Sequence, residues 1–403
     1  MRRRAVLAAG ACAITATGAG CFGRDSSDLE TFDGEVSVDP SLAPERGSWA
    51  VVHGDPANTR TVPPDAVPEP PLSVSWTESY ETHVGHVHPV VRDGTVVASD
   101  LDEGLFAVDA ETGEREWTVT LADFEPRTAP AVFENGVLIG SRSSVRAFDR
   151  DGEERWRTEE SVRFSWSRPD PTVDDDVLLA STRLGVAAHD LEDGDRRWEQ
   201  PIGVRPTATP ASRDGTIYLG GGDATLHALE GETGDVRWRA NADDELTAGP
   251  AVTGDGVYVG TGSGTVIAVD FDGAVRWRTE VADRDVDAVA VGNGIVCASD
   301  DGGALTVVEP DSGDRVWRSE RAVSSYATGP VIGSGLIFAR VRRDRGSGSG
   351  SGETIGAFDA ESGELEWQYD GEARPTSGPA VEAGALYLTG REDGQTSALF
   401  EFV

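Results

Sequence analysis

The chain has 403 residues, with 71 acidic and 35 basic side chains, 49 glycines, three cysteines and no lysine, for a net charge of −36. A surface of that sign repels nucleic-acid phosphates and anionic membranes, so neither is expected as a partner. Hydrophobic residues make up 38%; Leu, Ile and Phe are sparse beside Val, Thr and Gly, which argues against a helical bundle or a membrane-spanning protein and predicts an all-β fold of many short strands.

Residues 1–20 read as an export signal. Met1-Arg2-Arg3-Arg4 supplies the charge, Ala5 to Ile14 the apolar run, and small residues lead up to Cys21. The run is too short to span a bilayer as a stable helix. The arginines before Ala5-Val6-Leu7 resemble an incomplete twin-arginine signal, with the general secretory route left open, and the residues before Cys21 resemble a lipobox, whose cysteine is lipidated after cleavage. The expected location is the extracellular face of the cell membrane, touched only through the lipid. Residues 21–47 hold the anchor cysteine and a polar, acidic stretch without periodicity, expected to be a disordered stalk; 48–71 are expected to form a leader that packs on the domain built by 72–403. Cys12 lies in the signal, which leaves Cys297 as a lone thiol in an apolar strand pattern, read as a small core residue.

From there on the chain repeats. Trp76, Trp117, Trp156, Trp198, Trp238, Trp277, Trp317 and Trp367 are spaced 41, 39, 42, 40, 39, 40 and 50 residues apart. A shared phrase precedes most of them: Ala107-Val108-Asp109-Ala110-Glu111-Thr112-Gly113 before Trp117, Ala228-Leu229-Glu230-Gly231-Glu232-Thr233-Gly234 before Trp238, and Ala357-Phe358-Asp359-Ala360-Glu361-Ser362-Gly363 before Trp367. The Asp can accept backbone N–H bonds in the turn, the Gly takes a positive φ, and the Trp covers a neighbouring sheet once the chain has reversed. Apolar strands such as Gly256-Val257-Tyr258-Val259-Gly260 lie upstream, so each period of about forty residues holds the four strands of one propeller blade. The long final interval contains Arg342-Arg343-Asp344-Arg345 and a Ser/Gly run to Gly352, which reads as an inserted flexible loop.

The phrase ending at Trp117 matches every position of the Ala-x-Asp-x-x-Thr-Gly-x-x-x-Trp docking motif, and residues 72–403 on this basis resemble the pyrroloquinoline-quinone-type (PQQ-like) propeller repeat. Trp49 to Thr59 resembles the leader found before the first blade in halophilic archaeal members. The acid excess without lysine is similar to that of secreted proteins of such organisms, whose surfaces stay solvated where molar salt shortens the Debye length to about 3 Å. The resemblance implies two functions: a non-catalytic scaffold, as in the lipoprotein of bacterial outer-membrane barrel assembly, or a quinoprotein dehydrogenase that uses the quinone with calcium. The adjacent cysteines of alcohol-oxidising members are missing here, and the reading favours a scaffold with no cofactor and no metal.

Closure follows from the two ends. Ala398 to Val403 has a third-strand pattern without its Trp strand, and Leu72 to Trp76 is a fourth strand without its first three. Paired, they complete an eighth four-stranded antiparallel blade and leave no open edge. Aligning the units on Pro89, Pro130, Pro171, Pro210, Pro250, Ala290, Pro330 and Pro379 places the residues three and five positions earlier in the central channel. His86, Arg127, Trp166, Arg168, Arg205 and Arg374 then form the candidate ligand-binding set, a basic arc running over blades eight to four, with Glu245, Asp285 and Asp287 on blades five and six. Arginine forks suit carboxylate or phosphate groups, so the expected partner is an extracellular protein or a small anionic ligand. No catalytic constellation emerges. His86 and His88 share a strand face without a carboxylate or cysteine to complete a metal site.

Overall fold

The computed structural model describes residues 50–403 except 52, 81–87, 101–103, 122–123, 125, 142–143, 159–169, 320–328, 343–352 and 393–395. Eight antiparallel sheets follow one another along the chain. Blades 1 to 7 occupy residues 90–119, 131–157, 172–201, 211–241, 246–280, 286–318 and 331–368, each with its four strands in sequence order. Blade 8 takes Arg374–Pro375, Ala380–Glu382, Ala385–Arg391 and Ser397–Phe402 from the end of the chain and Val74–Tyr80 from its beginning. Thr77 stands opposite Phe400 and Tyr80 opposite Ser397, so the ring closes by pairing of the first and last strands. The sequence places the start of the inserted loop at Arg342; Arg342 instead ends the second strand of blade 7, opposite Glu353, and residues 343–352 fall outside the described residues.

The tryptophan phrase can now be given its mechanics. In blades 1 to 5 and 7 an alanine of the third strand faces the Trp of the fourth, as Ala107 faces Trp117 and Ala268 faces Trp277; Val307 takes that place opposite Trp317 in blade 6. A register shift follows at once in each of them, which adds twist and re-aims the indole toward the next blade. There the ring lies against a turn glycine with positive φ: a Cβ on Gly194 (φ +79) would come within 2.5 Å of Trp156, and one on Gly313 (φ +76) within 2.6 Å of Trp277. Seven indole N–H groups donate to carbonyls of that same turn, from Trp76 to Ala110 (3.0 Å) through Trp277 to Pro310 (2.8 Å) and Trp317 to Ala360 (2.9 Å). The turn aspartates hold the loops: Asp109 accepts from the amide and hydroxyl of Thr112, and these bonds keep its carboxyl below the usual carboxylate range.

Trp367 is the exception. Its neighbour is blade 8, whose third and fourth strands are the end and start of the chain, so no turn exists there; Ser73 and Val403 exchange backbone bonds of 3.0 and 3.1 Å instead. Among the described residues no acceptor is recorded for the Trp367 N–H. Tyr369 packs edge-on against Phe402 at 5.0 Å, and Arg340 donates to the Thr376 carbonyl at 2.7 Å, so apolar and charged contacts join blades 7 and 8.

The cores lie between adjacent blades. Cys297 is fully buried in one of them, beside Trp317 of its own blade and Ile332 and Ile337 of the next, and burial pushes its thiol pKa far up, where it cannot act as a thiolate nucleophile at neutral pH.

Candidate functional site

One end of the ring axis is occupied by the protein's own chain. Five innermost-strand amides at a single equivalent place, those of Val132, Ser212, Val252, Val291 and Ile332, donate at 2.7–3.0 Å to the carbonyls of Ala50, Pro56, Ala57, Thr59 and Arg60. A segment of eleven residues thus serves blades 2, 4, 5, 6 and 7, and Gly384 of blade 8 donates to Ala66. Asn58 (φ 58°) and Arg60 (φ 55°) adopt the left-handed conformation on either side of Thr59, which lets successive carbonyls face successive blades. The Asn58 amide nitrogen lies 3.1–3.2 Å from the carbonyls of Thr209, Pro210 and Pro250, tying two blades together.

The side chains of this segment fill the axis. Arg60 donates to His53 Nδ1, which leaves His53 Nε2 to donate to Thr209 Oγ1 at 3.0 Å. Asp55 accepts from the Thr59 hydroxyl and amide; burial raises its carboxyl pKa and these bonds oppose the rise. Between His53, Asn58, Arg60, Thr209, Gly249 and Asp287 about 10 Å³ remains, room for a single water molecule.

At the opposite end, where first strands begin and second strands finish, the side chains differ from blade to blade. Arg374 and Arg391 face each other across blade 8, and Arg342 faces Glu353 in blade 7. In blade 5 the Glu245 carbonyl accepts from Gly262, and in blade 6 the Asp285 carbonyl accepts from Asp301. Arg205, Glu245, Asp285, Asp301, Arg342, Arg374 and Arg391 are all exposed. The rim is therefore acidic on blades 5 and 6 and basic on blades 7 and 8, with Arg205 on blade 4.

Of the residues expected to bind ligand, Arg205 and Arg374 belong to this rim. Arg127 is buried at 8% exposure and does not. His86, Trp166 and Arg168 lie outside the described residues, and so does the proposed lipidation site Cys21. The threonines three residues before the prolines are structural: Thr207 donates to the Leu246 carbonyl (2.6 Å) and Thr247 to that of Val286 (2.9 Å), each linking one blade to the next. Blade 6 corrects the alignment itself. Val291 and Val296 pair as Val252 and Val257 do, so Val289 rather than Ala290 takes the place of proline: blade 5 has a second register shift, between Ala248 and Ala251, that blade 6 lacks, and its first strand there is one residue shorter. Asp287 accordingly lines the axial cavity, while Asp285 stays on the rim. His88 accepts from the Gly378 amide at 3.4 Å, a bond between blades 1 and 8.

Sequence reasoning placed Arg342 in the inserted loop and missed Arg391. Both close a second strand, at a place filled by Gly222 in blade 4, Gly262 in blade 5 and Asp301 in blade 6, and only the register brings Arg391 onto Arg374.

Residues 72–216 and 222–345 match the family described as outer membrane protein assembly factor BamB. BamB of Yersinia pestis is 24% identical over 337 residues, 79% of this chain and 65% of that protein, so the match spans just under two thirds of the relative's length. The crystal structure of BamB from Moraxella catarrhalis superposes with a TM-score of 0.65 at 16% identity, covering 82% of this chain and 99% of that one. Quinohemoprotein alcohol dehydrogenase from Comamonas testosteroni superposes with a TM-score of 0.68 at 14% identity over 90% of this chain and 81% of its own. At these identities the superpositions speak for the fold alone.

Proposed function

Since the chain belongs to the family of the outer membrane protein assembly factor BamB, we propose that it acts as a non-catalytic scaffold, binding an extracellular protein or small anionic ligand while a lipid on Cys21 holds it at the outer face of the cell membrane. The observation that carries this reading is the rim: variable charged side chains stand on an otherwise repeated frame, at the end of the first strands away from the leader, as expected of a recognition surface grafted on a rigid scaffold. Arg205 and Arg374 are the residues of the expected arc that this reading retains, and Arg127 would support the channel from within. The acid-rich, lysine-free surface suits a protein that works in concentrated salt. The alternative, a quinone-dependent dehydrogenase, needs carboxylates gathered around calcium beside the quinone. Among the described residues no three His, Cys, Asp or Glu side chains are grouped to hold a metal ion.

Two measurements test the scaffold. Cys21→Ala should move the protein from the membrane pellet to the soluble fraction. Affinity capture after in-cell crosslinking should recover a partner with the parent chain and lose it when Glu245, Asp285, Arg342 and Arg374 are reversed in charge. Retention of the same partner by the reversed rim, or quinone-dependent dye reduction by the purified protein, would overturn the proposal.

A further inference from the structure

His227 stands on the third strand of blade 4, opposite Leu219 on one side and Arg239 on the other. Around it Ile217, Leu219 and Leu229 pack against Leu179, Val186 and Ala188 of blade 3. The imidazole is 2% exposed, and neither ring nitrogen has a hydrogen-bond partner among the described residues. A polar group buried in that way is costly and calls for an explanation. The acid beside it is Asp223, whose Oδ2 lies 3.8 Å from Nε2, near enough for an ion pair and too far for a hydrogen bond.

Asp223 belongs to the turn between the second and third strands, on the rim. That turn is fixed at its ends, since Gly221 bridges to Pro206 and Ala242 donates to the Ala224 carbonyl at 2.8 Å. Between these points, among the described residues, the amides of Gly222 and Asp223 donate no backbone bond. Ala224 is held at φ 59°, a left-handed conformation that costs a residue with a side chain some free energy. Glu245 also faces the turn, with Oε1 3.5 Å from where a Cβ on Gly222 would stand. Burial holds the imidazole below its usual pKa; Asp223 opposes that fall, and Arg239 adds to it.

We propose that His227 and Asp223 form a proton-operated latch on the rim of blade 4, which sets the pH range over which the rim takes its partner. While His227 is neutral, the Asp223 carboxylate stands away from it. A proton from solvent on Nε2 lets the carboxylate close in a charge-assisted hydrogen bond, drawing Gly222 and Asp223 toward the sheet. Arg205 moves with them, because Gly221 is bridged to the adjoining Pro206. This inference rests on the scaffold reading and adds its regulation.

The test follows the full mature chain by NMR in molar salt from about pH 4 to about pH 8, with all six histidines carbon-13 labelled and His227 assigned from His227→Gln. His227 should titrate with a midpoint below 6.5, and the Gly222 amide should shift with that midpoint. Asp223→Asn should lower the midpoint by about one unit and abolish the Gly222 shift, Asp223→Glu should keep both in part, and Arg239→Gln should raise the midpoint. Capture of the crosslinked partner should differ at least threefold between pH 7.5 and pH 5 in the parent and not in Asp223→Asn, with circular dichroism checking that each keeps the fold. A His227 that takes no proton down to pH 4, or a midpoint unmoved by Asp223→Asn, would overturn the latch. Equal capture at both pH values by the parent would refute the regulation and leave the scaffold standing, whereas no capture at either would sink the scaffold reading and the regulation with it.

Discussion

Replacing Trp277 and Trp367 separately by phenylalanine isolates what the indole N–H contributes to ring closure. Both keep an aromatic ring in place, so most of the packing survives. Trp277 is buried at 8% exposure, lies on Gly313 and donates to the Pro310 carbonyl at 2.8 Å. Its replacement removes one hydrogen bond, worth about 1 kcal/mol, and part of an aromatic surface, worth about 1 more. Trp367 has no acceptor among the described residues, so its replacement should cost about half as much. Urea unfolding at fixed molar salt provides the assay: the Trp277→Phe midpoint should fall further than that of Trp367→Phe, with the slope unchanged in both. Equal shifts would refute the idea that the turn carbonyl matters, and a larger shift for Trp367 would mean that the seam depends on its indole.

The remaining expectations concern the turns, the axis, the seam and the solvent. Gly194→Ala forces a side chain into the left-handed region and onto Trp156, and should cost about 2 kcal/mol by the same urea assay. Asn58→Ala leaves the carbonyls of Thr209, Pro210 and Pro250 without their shared donor and should cost about 1 to 3 kcal/mol; an unchanged midpoint would mean that the axial segment does not support the ring. Glu401 is buried opposite Tyr387, and burial raises its carboxyl above 4.5. A raised acid favours folding while protonated, so its contribution is full below about pH 4.5 and is lost as the pH climbs through its folded pKa. Glu401→Gln should therefore melt higher than the parent at neutral pH, with the gap closing near pH 4. Dialysis from molar salt to ~10 mM should cost β signal in circular dichroism, as longer-range repulsion among the surface acids returns; an unchanged spectrum would remove the high-salt reading.

The ring was legible because its repeat is written in residues with few substitutes. Trp gives the largest aromatic face together with an N–H donor, and the docking turn needs a residue at ease with positive φ, so the count of blades and their closure could be taken from spacing. The channel was harder. Its positions were found by counting from a proline, and blade 6 lacks the register shift that blade 5 has between Ala248 and Ala251, which changes that count without leaving a mark in composition. Arg127 gave no sign in sequence that it would be buried, since burial depends on what the neighbouring blades place around it. Nor did residues 50–66 disclose their path: the segment bonds through carbonyls, which every residue has, and only the left-handed Asn58 and Arg60 show where it bends. The pairing of Arg374 with Arg391 was hidden for a related reason, as the two lie seventeen positions apart and meet only through register.

The axial bonds also constrain the order of assembly. Residues 50–66 pair with strands as distant in the chain as Ile332 and Gly384, and Val74–Tyr80 pairs with the final strand. Contacts across such separations are slow to form, because most of the chain must be arranged before they yield any gain. The stretch that leaves the ribosome early must then wait, unsatisfied, for the last repeat to arrive. Nascent chains stalled before Ser397 should remain protease-sensitive around Asn58, and completion of the chain should protect both places in one step.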